Sequence, residues 1–215
     1  MAWRNASTLD MTSSQSRLYR ERVTDWTDHP TLTGAHVRLE PLSEDHAEGL
    51  HEAGRDPEIW AWLSLTRPET PGDTRAMVKT ILAMPGRQAF AQVDAATGEV
   101  AGTTSYYQVD PAHRALLIGH TWLGKRWQRT PLNTEAKLLL LTHAFEARGA
   151  IRVAWQTDHR NERSQRAIER LGAKRDGVLR SHRIRPDGTV RDTVEYSVIA
   201  AEWPSVRDGL LARLG

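Results

Sequence analysis

The chain has 215 residues, an apolar fraction of 39% and a formal charge of only +2, which suits one domain able to bury a sizeable core. It contains no cysteine, which excludes disulfides, thiolate nucleophiles, iron–sulfur clusters and cysteine-based zinc sites. Its nine histidines include no His-Glu-x-x-His pair, and His46 and His51 stand off a common helical face, so no metal is expected.

The sequence pI is about 9.1, yet no block of Lys and Arg resembles a nucleic-acid-binding tail, and nucleic acid is not an expected partner. The longest apolar run, Leu138–Leu141, is too short to cross a bilayer. Met1–Asp10 lacks the apolar segment of a secretory signal, so a cytoplasmic, membrane-free protein is expected.

Residues 1–30 are polar and unpatterned and read as a loose extension, with a single domain over 31–215. Val37, Leu39 and Leu42 alternate as a first strand, and Ser43-Glu44-Asp45-His46 caps a helix carrying Ala47, Leu50 and Ala53. Residues 55–72, with Trp60, Trp62 and three prolines, read as a long aromatic-lined loop or broken helix. Asp73 opens a helix through Met84. Strands over Gln88–Val93 and Glu99–Val109 are joined by Asp94-Ala95-Ala96-Thr97-Gly98, a hairpin signal. Leu116, Ile118, His120 and Trp122 alternate along a fourth strand. A helix over Thr134–Arg148, a strand over Ile151–Thr157 and a helix over Asn161–Leu171 follow. A long hairpin then turns at Pro186-Asp187-Gly188, and Trp203-Pro204 opens a terminal helix. This order predicts an α/β (mixed α+β) domain, a mixed sheet covered by helices.

Two segments carry chemistry. In the first, the strand ending Trp122-Leu123-Gly124 leads through Gln128-Arg129-Thr130-Pro131-Leu132-Asn133 into Thr134-Glu135-Ala136. A loop turning directly into a helix presents unpaired N–H groups and a helix dipole, a setting for pyrophosphate or simply for an ordinary cap at Thr130 with Pro131 behind it. In the second, Asn161-Glu162-Arg163-Ser164 opens a helix that closes at Leu171-Gly172-Ala173. A capped amphipathic helix ending at Gly172 explains that segment alone, but not the occurrence of both segments in this order.

Together they resemble the GCN5-related N-acetyltransferase superfamily, closest to its ribosomal-protein N-terminal acetyltransferase-like branch, over about Thr33–Glu202. The family's acetyl-CoA loop, Gln/Arg-x-x-Gly-x-Gly/Ala followed here by Thr-Glu-Ala, is matched at Gln128 and Thr134-Glu135-Ala136, with Pro131 and Asn133 in place of the glycines. Asparagine tolerates the left-handed backbone that a glycine would supply, whereas Pro131 removes one N–H. The tyrosine often found seven residues after the motif asparagine is Ile168 here.

The resemblance implies a central twisted mixed sheet of about seven strands flanked by helices, and transfer of an acetyl group from acetyl-CoA to a primary amine, a protein N-terminus or a small molecule. It places Trp122, Leu123, Gln128, Arg129, Thr130, Asn133, Thr134, Asn161 and Ser164 at the cosubstrate, in a slot made by the parting of Ile118–Leu123 from Ile151–Thr157. A backbone N–H near Trp122 or Leu123 would hold the carbonyl oxygen. Ser164 is the candidate to protonate the leaving thiolate, or else a helix-turn cap; His120 is the candidate base, or else a half-buried structural histidine. Trp60 and Trp62, with the 182–191 hairpin, would wall the acceptor entrance, or pack in the core or a homodimer contact. Two other readings stand beside these: a catalytically silent CoA-binding protein, and an RNA or ribosome binder using Arg180, Arg183, Arg185 and Arg191.

Overall fold

The computed structural model describes residues 25–215. Its centre is one sheet of eight strands: β1 (Leu32–Thr33), β2 (Val37–Pro41), β3 (Gln88–Asp94), β4 (Val100–Asp110), β5 (Ala115–Leu123), β6 (Arg152–Asp158), β7 (Lys174–Ile184) and β8 (Val190–Ile199), in the order β1-β2-β3-β4-β5-β6-β8-β7. Only β5 and β6 are parallel neighbours. The strand beyond the expected seven is β1, whose two residues are too few to show a period-two pattern. Among the described residues, five α-helices accompany the sheet: α1 (Ala47–Ala53), α2 (Pro71–Leu82), α3 (Pro131–Thr142), α4 (Glu162–Glu169) and α5 (Trp203–Leu211).

Local sequence explains where these elements begin. At α2, Thr70 accepts from the Asp73 N–H while the Asp73 carboxylate accepts from the Thr70 N–H, with Pro71 at the first helical position. Ser43 and His46 close a similar box ahead of α1. Of the two starts read for the next helix, the structure has the cap at Thr130 with Pro131 as first helical residue rather than a start at Thr134, and the helix runs into a π turn over His143–Ala147.

Side-chain parity on β4 separates the two faces of the sheet. Tyr106 donates its hydroxyl to the Leu140 carbonyl of α3 at 2.6 Å, and Thr104 meets Lys137 of the same helix. Thr103 and its cross-strand partner Trp122 therefore face the other way, where Trp122 packs on Trp60 with ring centroids 5.2 Å apart. Tyr107 shares that second face, which α1 covers over β4.

Residues 1–24 of the expected loose extension lie outside the described residues. Within the described part, residues 25–30 sit on the core rather than apart from it. Trp26 is buried, its carbonyl accepts from Gln88 Nε2 at 2.9 Å, and His29 meets Phe90 edge to face. A single tryptophan in polar surroundings carries no periodicity, so composition alone does not mark this seat.

Glu135, within Thr-Glu-Ala, has a structural task. Its buried carboxylate accepts from the N–H groups of Ala35, His36 and Val37 at 2.9, 2.6 and 2.8 Å, tying the β1–β2 turn to α3. Gly34 is required beside it, since a Cβ there would collide with that carboxylate. Replacing Glu135 by Ala strips three charge-assisted bonds and leaves buried donors unpaired, and should cost about 3 kcal/mol in urea unfolding. A loss below about 1 kcal/mol would show that the turn does not depend on it.

Candidate active site

The sheet opens in its middle. β5 and β6 pair at Ala115–Arg152, Leu116–Val153 and Leu117–Ala154, and no further. Beyond that point β5 stays with β4 while β6 stays with β8 as far as Asp158–Thr193. A bulge marks the divergence: Gly119 opposes Ser105 and Trp122 opposes Thr103, so His120 and Thr121 share the single partner Thr104. His120 takes the left-handed backbone the bulge requires, at φ 49°. Lys137 braces the bulge from beneath, donating to Thr104 Oγ1 and Thr121 Oγ1, both at 3.0 Å. Burial pushes that lysine down to about 7.

The parting frees one edge of β5. Gly124 N–H donates to the Ala101 carbonyl of β4 at 2.8 Å, so strand alternation turns the Leu123 N–H to the opposite edge, into the gap. Trp122 does not share this direction. Its carbonyl accepts from Gln92 Nε2 on the β4 side, and its ring is buried against Trp60. Of the two backbone positions expected near the carbonyl oxygen, Leu123 alone faces the gap.

The loop after β5 is drawn toward α4 by one side chain. Gln128 Nε2 donates to the Leu123 carbonyl at 2.9 Å, and its Oε1 accepts from Arg163 Nη2. The Gln128 N–H is spent on Lys125. Thr130 caps α3 through a long bond from the Leu132 N–H, 3.4 Å. Pro131 offers no donor and the Leu132 N–H is given to the cap, so the open N–H groups of this first turn fall at Thr130 and Asn133 among the described residues. The left-handed residue of the loop is Arg129, at φ 64°, not Asn133, which is helical; the expectation that asparagine substitutes for a left-handed glycine is thereby corrected. Asn133 Oδ1 is instead shut from solvent without a hydrogen-bond partner among the described residues. Thr134 follows as the fourth residue of α3.

At α4, Asn161 is the N-cap, its side chain accepting from the Ser164 N–H at 3.0 Å. The Ser164 hydroxyl makes no hydrogen bond among the described residues, so capping belongs to Asn161 and the serine oxygen is spare. Ile168, where the family often has tyrosine, is buried in the core. Tyr196 cannot stand in for it, because its hydroxyl is committed to Glu169 Oε1 at 3.0 Å and Gln165 Oε1 at 3.3 Å.

His120 emerges on the α1 face beside Tyr107, edge to face at 5.0 Å. Burial, helped by the cations Arg87 and Arg183, pulls the imidazole down to about 4, so it is neutral at physiological pH. Burial pushes the Tyr107 phenol up to about 12. Tyr107, Arg87 and Lys137 escaped the sequence reading, since each is an ordinary strand, loop or helix residue with no motif around it. Trp60 and Trp62 divide: Trp60 is core, donating Nε1 to the Gly54 carbonyl at 2.8 Å, while Trp62 is 48% exposed. The 57–67 segment and Pro186 of the hairpin tip line an open recess of about 430 Å³ between the two loops expected to wall the acceptor; Trp60 lines it and Trp62 does not. A shallower hollow of about 860 Å³ lies on the β7–β8 edge, lined by residues 178–182 and Asp192. Arg185 leaves the supposed basic rim, folding in to grip buried Asp158 with Nε at 2.7 Å and Nη2 at 2.9 Å.

The sheet is thus parted between two parallel strands, with a loop and a helix start at the mouth of the gap. Residues 36–174 match the Acetyltransferase (GNAT) domain, and the chain belongs to that family. It is an acetyl-CoA-dependent N-acetyltransferase. It is similar to a solved protein from T. thermophilus described as an acetyltransferase, at 46% identity and TM-score 0.78, covering 86% of this chain and 97% of that one. A GCN5-related N-acetyltransferase from Brucella melitensis is 31% identical with TM-score 0.84, covering 87% and 86%. The uncharacterized N-acetyltransferase YoaA of Bacillus subtilis (strain 168) is 25% identical over 175 residues, 79% of this chain and 97% of its own.

Because His120 is held down to about 4 while an unfolded histidine titrates near 6.5, the unfolded chain binds more protons in that window. Stability from this group is therefore present above pH 6.5 and lost as pH falls toward 4. His29, also pulled down to about 4 chiefly by burial, adds to the same slope. Melting temperatures at pH 7.0 and 4.5 should fall less in His120→Asn than in the parent. Equal falls would show that His120 is not held neutral.

Proposed function

We propose that the chain acetylates a primary amine that enters on the Trp60 and His120 face, with acetyl-CoA bound in the gap between β5 and β6. The observation that carries this reading is the end of pairing after Leu117–Ala154, which leaves the Leu123 N–H directed into open space. When bound, acetyl-CoA supplies the thioester whose acyl carbon the amine attacks. Leu123 N–H is the donor for the acyl oxygen, where developing negative charge rewards a fixed dipole. Thr130 and Asn133, with Arg129 beside them, hold the pyrophosphate, and Gln128 fixes the loop against Arg163. Asn161 fixes the first turn of α4 and so aims Ser164.

The Ser164 hydroxyl holds the proton that the departing thiolate needs. Neutral His120 takes part as a hydrogen-bond acceptor for the incoming amine, alone or through water, rather than as a strong base. The Thr-Glu-Ala continuation and Asn-x-x-Ser motif favour the ribosomal-protein N-terminal acetyltransferase-like branch within the family. The protein acts in the cytoplasm on this reading.

Acetyl-CoA at 100 times its Kd should stabilise the protein by about 2.7 kcal/mol. An unchanged melt in millimolar acetyl-CoA would remove the gap as its seat. Ser164→Ala should lower kcat and kcat/KM together, by roughly 10²–10⁴-fold, with the melting temperature and acetyl-CoA affinity kept. Asn161→Ala should instead cost about 1 kcal/mol of stability. Full turnover in Ser164→Ala would assign the proton elsewhere.

A further inference from the structure

The face that receives the acceptor, on the reading above, is unusually rich in guanidinium groups. Beyond the cover of α1 and α2 it carries Arg152, Gln156 and Asp158 of β6 with Arg191 and Glu195 of β8, which alternation places away from Tyr196 and α4. Some of this charge is already satisfied. Arg152 spans Asp176 at 2.9 Å and Glu195 at 3.0 Å, and Arg185 takes both oxygens of Asp158. Asp192 points to the other side, accepting from the Ser181 N–H at 2.7 Å.

Three arginines are left over. Arg183 faces Arg191 directly across β7 and β8, a like-charge pair that costs stability unless something anionic joins it, and Arg183 has no carboxylate partner among the described residues. Arg191 Nε is shut from solvent with no hydrogen bond, and its nearest carboxylate, Asp158 Oδ2, stands 3.9 Å away. Arg87, half-buried just ahead of β3, reaches only Ser105 Oγ at 3.0 Å and Met84 Sδ at 3.4 Å. All three bear electrostatically on the Tyr107 hydroxyl, and Arg87 and Arg183 also on His120, the residue of the bulge.

We infer that the acceptor amine carries an acidic group, a carboxylate or phosphate close to the amine, and that Arg183 and Arg191 bind it with Arg87 behind them. Guanidinium forks match both groups bidentately, and a partly buried cluster of one sign focuses its field on an incoming anion. The same field serves the chemistry. Cations near an ammonium favour its neutral form, and the neutral amine is the nucleophile. Among the described residues of β6 and β8 this face has no spare carboxylate to act as base, because Glu195 is held by Arg152 and Gln156 and Asp158 by Arg185.

The test compares matched amines on the full chain: an amino acid against its amide, and phosphoethanolamine against ethanolamine, with CoA release read by a thiol reagent. The chain has no cysteine, so it adds no thiol of its own. The acidic member of at least one pair should be the better substrate by about tenfold or more. Arg183→Gln and Arg191→Gln should each lower its kcat/KM by roughly 10- to 100-fold, mainly through KM, and lower that of the neutral partner clearly less, while the KM for acetyl-CoA stays within about twofold. Preference for the neutral members would overturn the inference. So would a rise in the KM for acetyl-CoA with no effect on the amine, which would hand these arginines to the cosubstrate. A second arm needs no turnover: an N-acetyl amino acid and its N-acetyl amide are titrated calorimetrically. Binding of the acid alone, lost in Arg183→Gln, supports the inference, and equal or absent binding of both refutes it. Failure of acetyl-CoA to shift the melt counts against the proposed function, and the titration still decides the acidic group.

Discussion

Everything at the site depends on two strands that begin together and part. β5 and β6 are parallel neighbours for three residues, then each follows its other partner. A parallel edge left unpaired in the middle of a sheet would ordinarily be costly, because strand N–H and C=O groups need partners. Here the cost is tolerated because the bulge at His120 turns β5 away while Lys137 holds Thr104 and Thr121 beneath it. The Gln128 amide then satisfies the Leu123 carbonyl, so the freed edge presents chiefly a donor. A ligand whose reactive oxygen seeks a donor fits such an edge.

The same parting sets the electrostatics. Once the strands diverge, the β7–β8 hairpin swings its arginines toward the residues of the bulge, and the imidazole there sits among cations rather than carboxylates. Burial and those cations together keep His120 neutral. A strong general base in this position would need a nearby anion, and the carboxylates of this face are engaged with Arg152 and Arg185. On the proposed reading, proton handling falls to weak acceptors and water on one side of the reacting centre, and to the spare Ser164 hydroxyl on the other.

Much of the fold was legible in the sequence, for physical reasons that differ by element. The hairpin at Asp94–Gly98 and the closure of α4 at Leu171-Gly172 carry strong local signals, and the structure has both. The alternation expected along Leu116, Ile118, His120 and Trp122 holds only as far as Ile118, because the bulge turns His120 and Trp122 to the opposite face. The two-residue β1 and the packing of Trp26 carry none, because they exist only through partners remote in the chain, Leu39 and Gln88. Glu135 reads as part of a cosubstrate motif yet turns its carboxylate to a β turn a hundred residues away. At the candidate site, the loop and the Asn161–Ser164 cap stand out in sequence. Tyr107, Lys137, Arg87 and Arg191 become visible only once the bulge and the hairpin have brought them to one place. The left-handed position moved from Asn133 to Arg129 for a similar reason. Thr130 caps the helix earlier than the motif spacing suggests, and the chain reversal precedes it.

The central claim, that the parted strands seat acetyl-CoA, is tested most directly by amide hydrogen exchange with and without CoA. Protection should rise at Leu123, across residues 129–134 and at the first turn of α4, with β1 to β3 unchanged. Protection confined to the β7–β8 hairpin, or none in the 123–134 segment at saturating CoA, would contradict the account.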